Sequence, residues 1–166
     1  MERITYVMLP TILIIAASAS VVFSGTSNIR WKTYHSSALG VRVKVPSAWV
    51  VEKTTQALAF HSPGSLENRA GLGLMRSGNR GSIKKAVDAR TATRGLEDWS
   101  RKYMRVGGMQ ALEVIGHPQG NPKMKIVRYF ITTPSGPYLL QCIAPAETWL
   151  LYRELFSNII GSIRFL

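Results

Sequence analysis

Three histidines, one cysteine and nine acidic residues are what this 166-residue chain has for acid–base, nucleophilic or metal chemistry. His35, His61 and His117 each sit at the end of an expected strand, beside a turn. Brought together they would form a metal site or a pH-sensitive contact, because a neutral imidazole is a common metal ligand. Kept apart they are exposed loop histidines. Cys142 sits in the apolar run 139–143 and reads as a small core residue rather than a nucleophile. A single cysteine excludes an intrachain disulfide and every zinc motif built on cysteine pairs. The only aspartates, Asp88 and Asp98, lie in basic stretches, and no spacing supports a carboxylate pair. The chain has no G-x-S-x-G, H-E-x-x-H or G-x-x-x-x-G-K-S/T motif. Gly71-Leu72-Gly73 opens like a dinucleotide fingerprint, but position 76 is arginine and no helix pattern follows, so it reads as a strand of small residues. No cofactor is expected. An enzyme here would be a hydrolase or metal-dependent enzyme with a site built from loops, resting on His35, His61 and His117.

Charge offers more than catalysis does. Lys and Arg total 21 against 9 acids, a formal net charge of +12. Such a domain is drawn to polyanions, lipid head groups or acidic proteins. The excess concentrates between residues 76 and 105. Arg76, Arg80, Lys84, Lys85, Arg90, Arg94, Arg101, Lys102 and Arg105 face only Asp88, Glu97 and Asp98 there, with Trp99 and Tyr103 among the later cations. Cations interleaved with aromatics suit an anionic surface. The plainer alternative is a solvated helix face with both aromatic rings tucked into the core. An acidic envelope protein, a membrane complex or an anionic lipid surface is the expected partner; nucleic acid is the poorer choice for an exported chain.

Export is expected from residues 4–23, a charge-free run of twenty whose helical length of roughly 30 Å matches the hydrocarbon thickness of a bilayer. Met1-Glu2-Arg3 precedes it and Ala17-Ser18-Ala19 has the small-residue look of a cleavage site. Residues 1–25 are therefore a signal peptide or an N-terminal anchor, and the two stay open. An extracytoplasmic address follows, periplasmic or secreted, with membrane attachment through residues 4–23 if the segment is retained. Residues 26–30 read as a linker.

From residue 31 the pattern becomes that of strands. Val41, Val43 and Val45 alternate with Arg42 and Lys44, which marks a half-buried strand with the cations in water, and Pro46 ends it. Further strands are expected from Trp49, over 57–61, 70–75, 110–115, 124–132 and 138–143. Pro134-Ser135-Gly136-Pro137 is a hairpin turn. Ser82 caps a helix running to about Thr93. Residues 146–160 form a second helix, with Trp149, Tyr152, Phe156, Ile159, Ile160 and Ile163 on one apolar stripe. Strand meanders broken by two helices give an α+β class: an antiparallel sheet with helices on its faces.

The order of these motifs resembles the PsbP-like family, relatives of the extrinsic oxygen-evolving-complex protein of photosystem II. Trp31 and Tyr34, then Leu39-Gly40-Val41 to Pro46 and Ala48-Trp49, are similar to the family's opening. Phe60-His61-Ser62-Pro63, Ser82-Ile83, Tyr129 with Tyr138-Leu139-Leu140 to Ala144, and the close from Trp149 to Phe165 follow in the family's order. The likeness covers residues 31–165, and residues 31–166 are read as one such domain. It implies an α/β/α sandwich around a mostly antiparallel sheet, shared with the Mog family, and no enzymatic chemistry. Plant members bind the lumenal face of a photosystem and help retain calcium and chloride; many bacterial relatives are exported. No histidine or carboxylate here matches a metal-binding position of the family, so the resemblance carries fold and class but no site.

Overall fold

A computed structural model describes residues 29–65, 69–76 and 93–166. The leader expected over 1–25 lies outside the described residues, as does the helix expected over 82–93 except for Thr93, which is in a turn. Among the described residues no helix is long and apolar enough to cross a membrane.

The valine alternation becomes β2 (Val41–Pro46), whose valines are buried and whose Arg42 and Lys44 are exposed. It is the centre of a three-stranded antiparallel sheet, between β1 (Trp31–Ser36) and β10 (Arg164–Phe165). Packing begins slightly before residue 31: Ile29, expected in the linker, rests on the main core, and the Arg30 carbonyl accepts the Ser47 N–H at 2.8 Å.

The other strands are β3 (Val50–Lys53), β4 (Ala57–His61), β5 (Gly71–Arg76), β6 (Leu96–Val106), β7 (Met109–Pro118), β8 (Met124–Thr133) and β9 (Gly136–Pro145). They form one seven-stranded sheet in the order β3-β4-β5-β9-β8-β7-β6, antiparallel throughout. Strand β9 enters between β5 and β8, so the C-terminal hairpin completes a sheet begun by the N-terminal meander. After a 3-10 turn at Ala146–Thr148, helix α1 (Trp149–Gly161) packs on β9 and β2.

The sheet buries both faces. On the α1 side, Leu58, Phe60, Leu72, Leu74, Val127, Ile131, Leu140 and Cys142 meet Trp149, Phe156, Ile159 and Ile163, with the β2 valines closing the layer. On the other side Leu96, Leu112, Val114, Ile126 and Phe130 make a second cluster. Two buried faces explain why β8 reads as a nearly continuous apolar run rather than a strict alternation. The expected stripe on α1 is present, joined by Leu155, while Leu150 and Leu151 are exposed.

Strand β6 is the element the sequence pattern missed. Gly107 and Gly108, both at positive φ (58° and 83°), turn the chain directly into β7, with Val106 opposite Met109. A two-residue loop with both residues left-handed is the turn whose twist suits a hairpin. Gly107 is also crowded. A Cβ there would lie 2.9 Å from the Ile163 carbonyl and 3.1 Å from the Phe165 ring, whereas one at Gly108 would meet nothing within 4 Å. Gly107→Ala is expected to lose about 2 kcal/mol or more, from left-handed strain plus the backbone clash, and Gly108→Ala about 1 kcal/mol from strain alone. Urea unfolding of the two variants checks the order; equal losses would mean the C-terminal strand is not seated on this turn.

Candidate binding surface

Strand β6 ends the large sheet and, among the described residues, pairs only with β7. It is eleven residues long, and every residue from Glu97 to Tyr103 is exposed. A bulge between Glu97 and Ser100 breaks its register, with Asp98 at φ 47°, a left-handed value that aspartate tolerates better than most residues. Gly116 of β7 makes the bulge possible, since a Cβ there would lie 2.8 Å from the Glu97 carbonyl and 3.1 Å from Cβ of Trp99. The bulge re-aims Trp99, which is 43% exposed, and Tyr103 further along is 76% exposed. The expectation that these rings might be tucked into the core is not met; both stand in water.

The strand's alternation sorts its cations. Arg101, Tyr103 and Arg105 share one side, since Arg101 pairs with Val114 and Tyr103 with Leu112, both in the second cluster. Arg105 is held by Nη1 donating to the Gly108 carbonyl at 3.0 Å. Lys102 lies on the α1 side, opposite Glu113 and 3.1 Å from its carboxylate. That pair is worth at most about 1 kcal/mol, because Lys102 is largely in water.

Of the remaining expected residues, Arg76 and Arg94 are described. Arg76 ends β5, four strands from β6 and thus roughly 19 Å across the sheet. It pairs with Tyr138, and its Nη2 donates to the Ser135 carbonyl of the β8–β9 turn. Arg94 precedes β6, and its carbonyl accepts Nη1 of Arg128 at 2.7 Å. Arg80, Lys84, Lys85 and Arg90 lie outside the described residues. Arg128 is the cation that sequence reasoning passed over. It sits mid-strand in β8, Nε donating to Oε1 of Gln141 at 3.2 Å, two strands from Arg101 and on the same side. Burial pulls its guanidinium pKa down from the usual value, yet arginine keeps its charge in proteins. The available signal was a lone cation inside an otherwise apolar run.

On the α1 side, β6 borders a cleft of about 470 Å³ lined by Lys102, Glu113, Tyr129, Cys142, Trp149 and Arg153 among others. Glu113 stands opposite Tyr129. Burial pushes the Tyr129 phenol well above its ordinary value, and the nearby Glu113 carboxylate adds to the effect. Burial likewise pushes up the Cys142 thiol, which is 1% exposed. A protonated, buried thiol is a packing group; the nucleophile would be the thiolate.

The histidines do not converge. His35 lies on the small sheet; His61 and His117 lie on β4 and β7, again four strands and roughly 19 Å apart. Nδ1 of His117 donates to the Met124 carbonyl at 2.8 Å, and Nε2 of His61 lies 3.7 Å from Glu52. Among the described residues no three His, Cys, Asp or Glu side chains are grouped to hold a metal.

No family model and no curated protein matches this chain. Solved structures do. LpqN of Mycobacterium tuberculosis, involved in cell envelope biogenesis, superposes with a TM-score of 0.55 at 14% identity, over 82% of this chain and 91% of LpqN. The solution structure of cyanobacterial PsbP from Synechocystis gives 0.55 at 10% identity, over 86% and 96%. PA94 of Pseudomonas aeruginosa, a protein of unknown function, gives 0.53 at 13%, over 80% and 95%. The α+β fold implied by the order of motifs is thus the fold of this chain, a PsbP-like antiparallel sheet with the C-terminal helix on one face.

Proposed function

We propose that this chain is a non-catalytic binding module of the cell envelope that docks an acidic protein partner along β6. The exposed edge carries the reading: seven consecutive residues in water, with Trp99 and Tyr103 beside Arg101, Lys102 and Arg105. Aromatic and arginine side chains are what protein interfaces concentrate, and two large exposed rings on a sheet edge are costly without a partner. An edge strand that pairs on one side only among the described residues also offers backbone N–H and C=O groups, which another strand satisfies and a lipid surface does not. Support for the envelope comes from the fold shared with LpqN and from the expected leader, which would place the domain outside the cytoplasm.

Photocrosslinkers placed at Trp99 and Tyr103 of the full chain, in its own envelope, test the reading. They should trap one acidic protein that a crosslinker at Lys123 does not. Trp99→Ser with Tyr103→Ser should weaken capture at least tenfold while leaving the fold intact, because both side chains already stand in water. Arg101→Glu with Arg105→Glu should weaken it and flatten its loss with salt, since screening shortens to roughly 3 Å at 1 M. Stoichiometric zinc in the purified protein, or turnover of a generic ester, would replace the module by the enzyme reading.

A further inference from the structure

The outer face of the small sheet carries a second cationic feature, which the charge pattern left as mere solvation. Register sets Thr33 against Lys44, His35 against Arg42, and Arg42 against Arg164. The core takes the other side: Tyr34, Val41, Val43 and Val45 all pack inward. Thr33, Arg42, Lys44, Ser162 and Arg164 then line an open recess of about 360 Å³.

Its parts are held in place. The Ser162 hydroxyl accepts the Lys44 N–H at 2.9 Å and donates to the Ile159 carbonyl at 2.6 Å, locking the end of α1 to β2. Nη1 of Arg164 donates to the carbonyls of Gly161 at 2.9 Å and Ile163 at 2.7 Å. That arginine has already lost its rotamer freedom, so a ligand need not spend binding energy to order it.

Two arginines directly opposite across a strand pair repel, and a lysine two residues along adds to the charge. Among the described residues no carboxylate lies within ion-pair distance of Arg42, Lys44 or Arg164. Three cations with a hydroxyl beside them exceed what a carboxylate would neutralise. They suit a tetrahedral oxyanion, whose several oxygens the arginine fork and the lysine point charge can share.

We infer that this recess is a phosphate-binding site, its ligand a phosphate group presented either free or as the phosphodiester of a lipid head group. The site is separate from β6 and stands whether or not the docking proposal does. Full-length protein in uncharged detergent is titrated with inorganic phosphate, with glycerophosphoglycerol and with acetate, reading the Nε–H signals of Arg42 and Arg164 by NMR. Saturable shifts are expected with at least one phosphate probe, and weaker ones with acetate. Inorganic phosphate binding tighter assigns a soluble ligand; the diester binding as tightly or tighter assigns a head group. Arg42→Gln with Lys44→Gln should weaken binding about tenfold or more, since each contact at close range contributes on the order of a kcal/mol even in a watery setting. Lys53→Gln with Lys123→Gln removes the same charge elsewhere and should change it less than twofold. Equal weakening by both pairs, acetate binding as well as phosphate, or no saturation would overturn the site.

Discussion

Phe156→Ala is expected to destabilise the fold by about 3–5 kcal/mol, the range for removing a buried phenyl ring. The residue is 3% exposed and sits at the meeting point of three other rings. Its centroid lies 6.2 Å from Trp49, 5.8 Å from Trp149 and 6.1 Å from Tyr152, with the Trp49 contact edge-on at 85°. Trp49 belongs to the turn after β2, and Trp149 opens α1. One side chain therefore joins the small sheet, the helix and the main core. Truncation opens a cavity that stiff aromatic neighbours fill poorly, and each lost ring pair adds roughly 0.5–1.5 kcal/mol beyond burial. A domain has only about 5–15 kcal/mol in total, so the variant should lose a large part of its stability. Leu150→Ala on the same helix is the control; Leu150 is 75% exposed and should cost no more than about 0.5 kcal/mol. Urea unfolding of both measures the difference. A loss below about 1.5 kcal/mol at Phe156 would mean the aromatic junction is not where α1 is held.

The second large effect is expected at Cys142. Its thiol is buried and pushed upward in pKa by desolvation, with the Glu113 charge adding to this. In the unfolded chain a cysteine loses its proton near pH 8.5; in the folded chain this one keeps it well beyond. Above that pH the unfolded state holds fewer protons than the folded one, so stability falls as pH rises. The slope approaches 1.36 kcal/mol per pH unit per group. Tyr129, raised in the same direction, adds its own slope from about pH 10. Stability should thus be intact below pH 8.5 and decline above it. Cys142→Ala should remove the part of the decline between pH 8.5 and 10, read from urea midpoints at pH 7, 9 and 10. Alkylation of native Cys142 should run roughly a thousandfold or more slower than in the unfolded chain, because reagent reaches it only through opening. Fast labelling of the native protein would place the thiol at the cleft surface instead of in the core.

The difference between β2 and β6 shows what made an element legible. Strand β2 announces itself because one face is buried and the other wet, so each second residue is valine. Strand β6 is an edge with little burial along most of its length, and no alternation was imposed on it. For that reason its sequence shows no strand period. The signal present was Gly107-Gly108 between Val106 and Met109, a two-residue hairpin loop. Arg76 and Arg101 looked like parts of one patch because both lie in one basic stretch of sequence. Antiparallel order puts Arg76 on β5 and Arg101 on β6, with β9, β8 and β7 between them.

Sequence alone determined the α+β class, the hairpin at 134–137, the half-buried valine strand and the apolar stripe of α1 that includes Trp149. Each depends on local spacing, where burial on one face writes a period of two or 3.6 into the chain. Only the tertiary structure decided which charges stand together. It set Lys102 against Glu113, Arg128 beside Gln141, and Arg42 against Arg164 across 122 positions of sequence. Charged side chains on exposed faces carry no period that names their partner. Their neighbours follow from strand order and register, which the apolar core settles without reference to them.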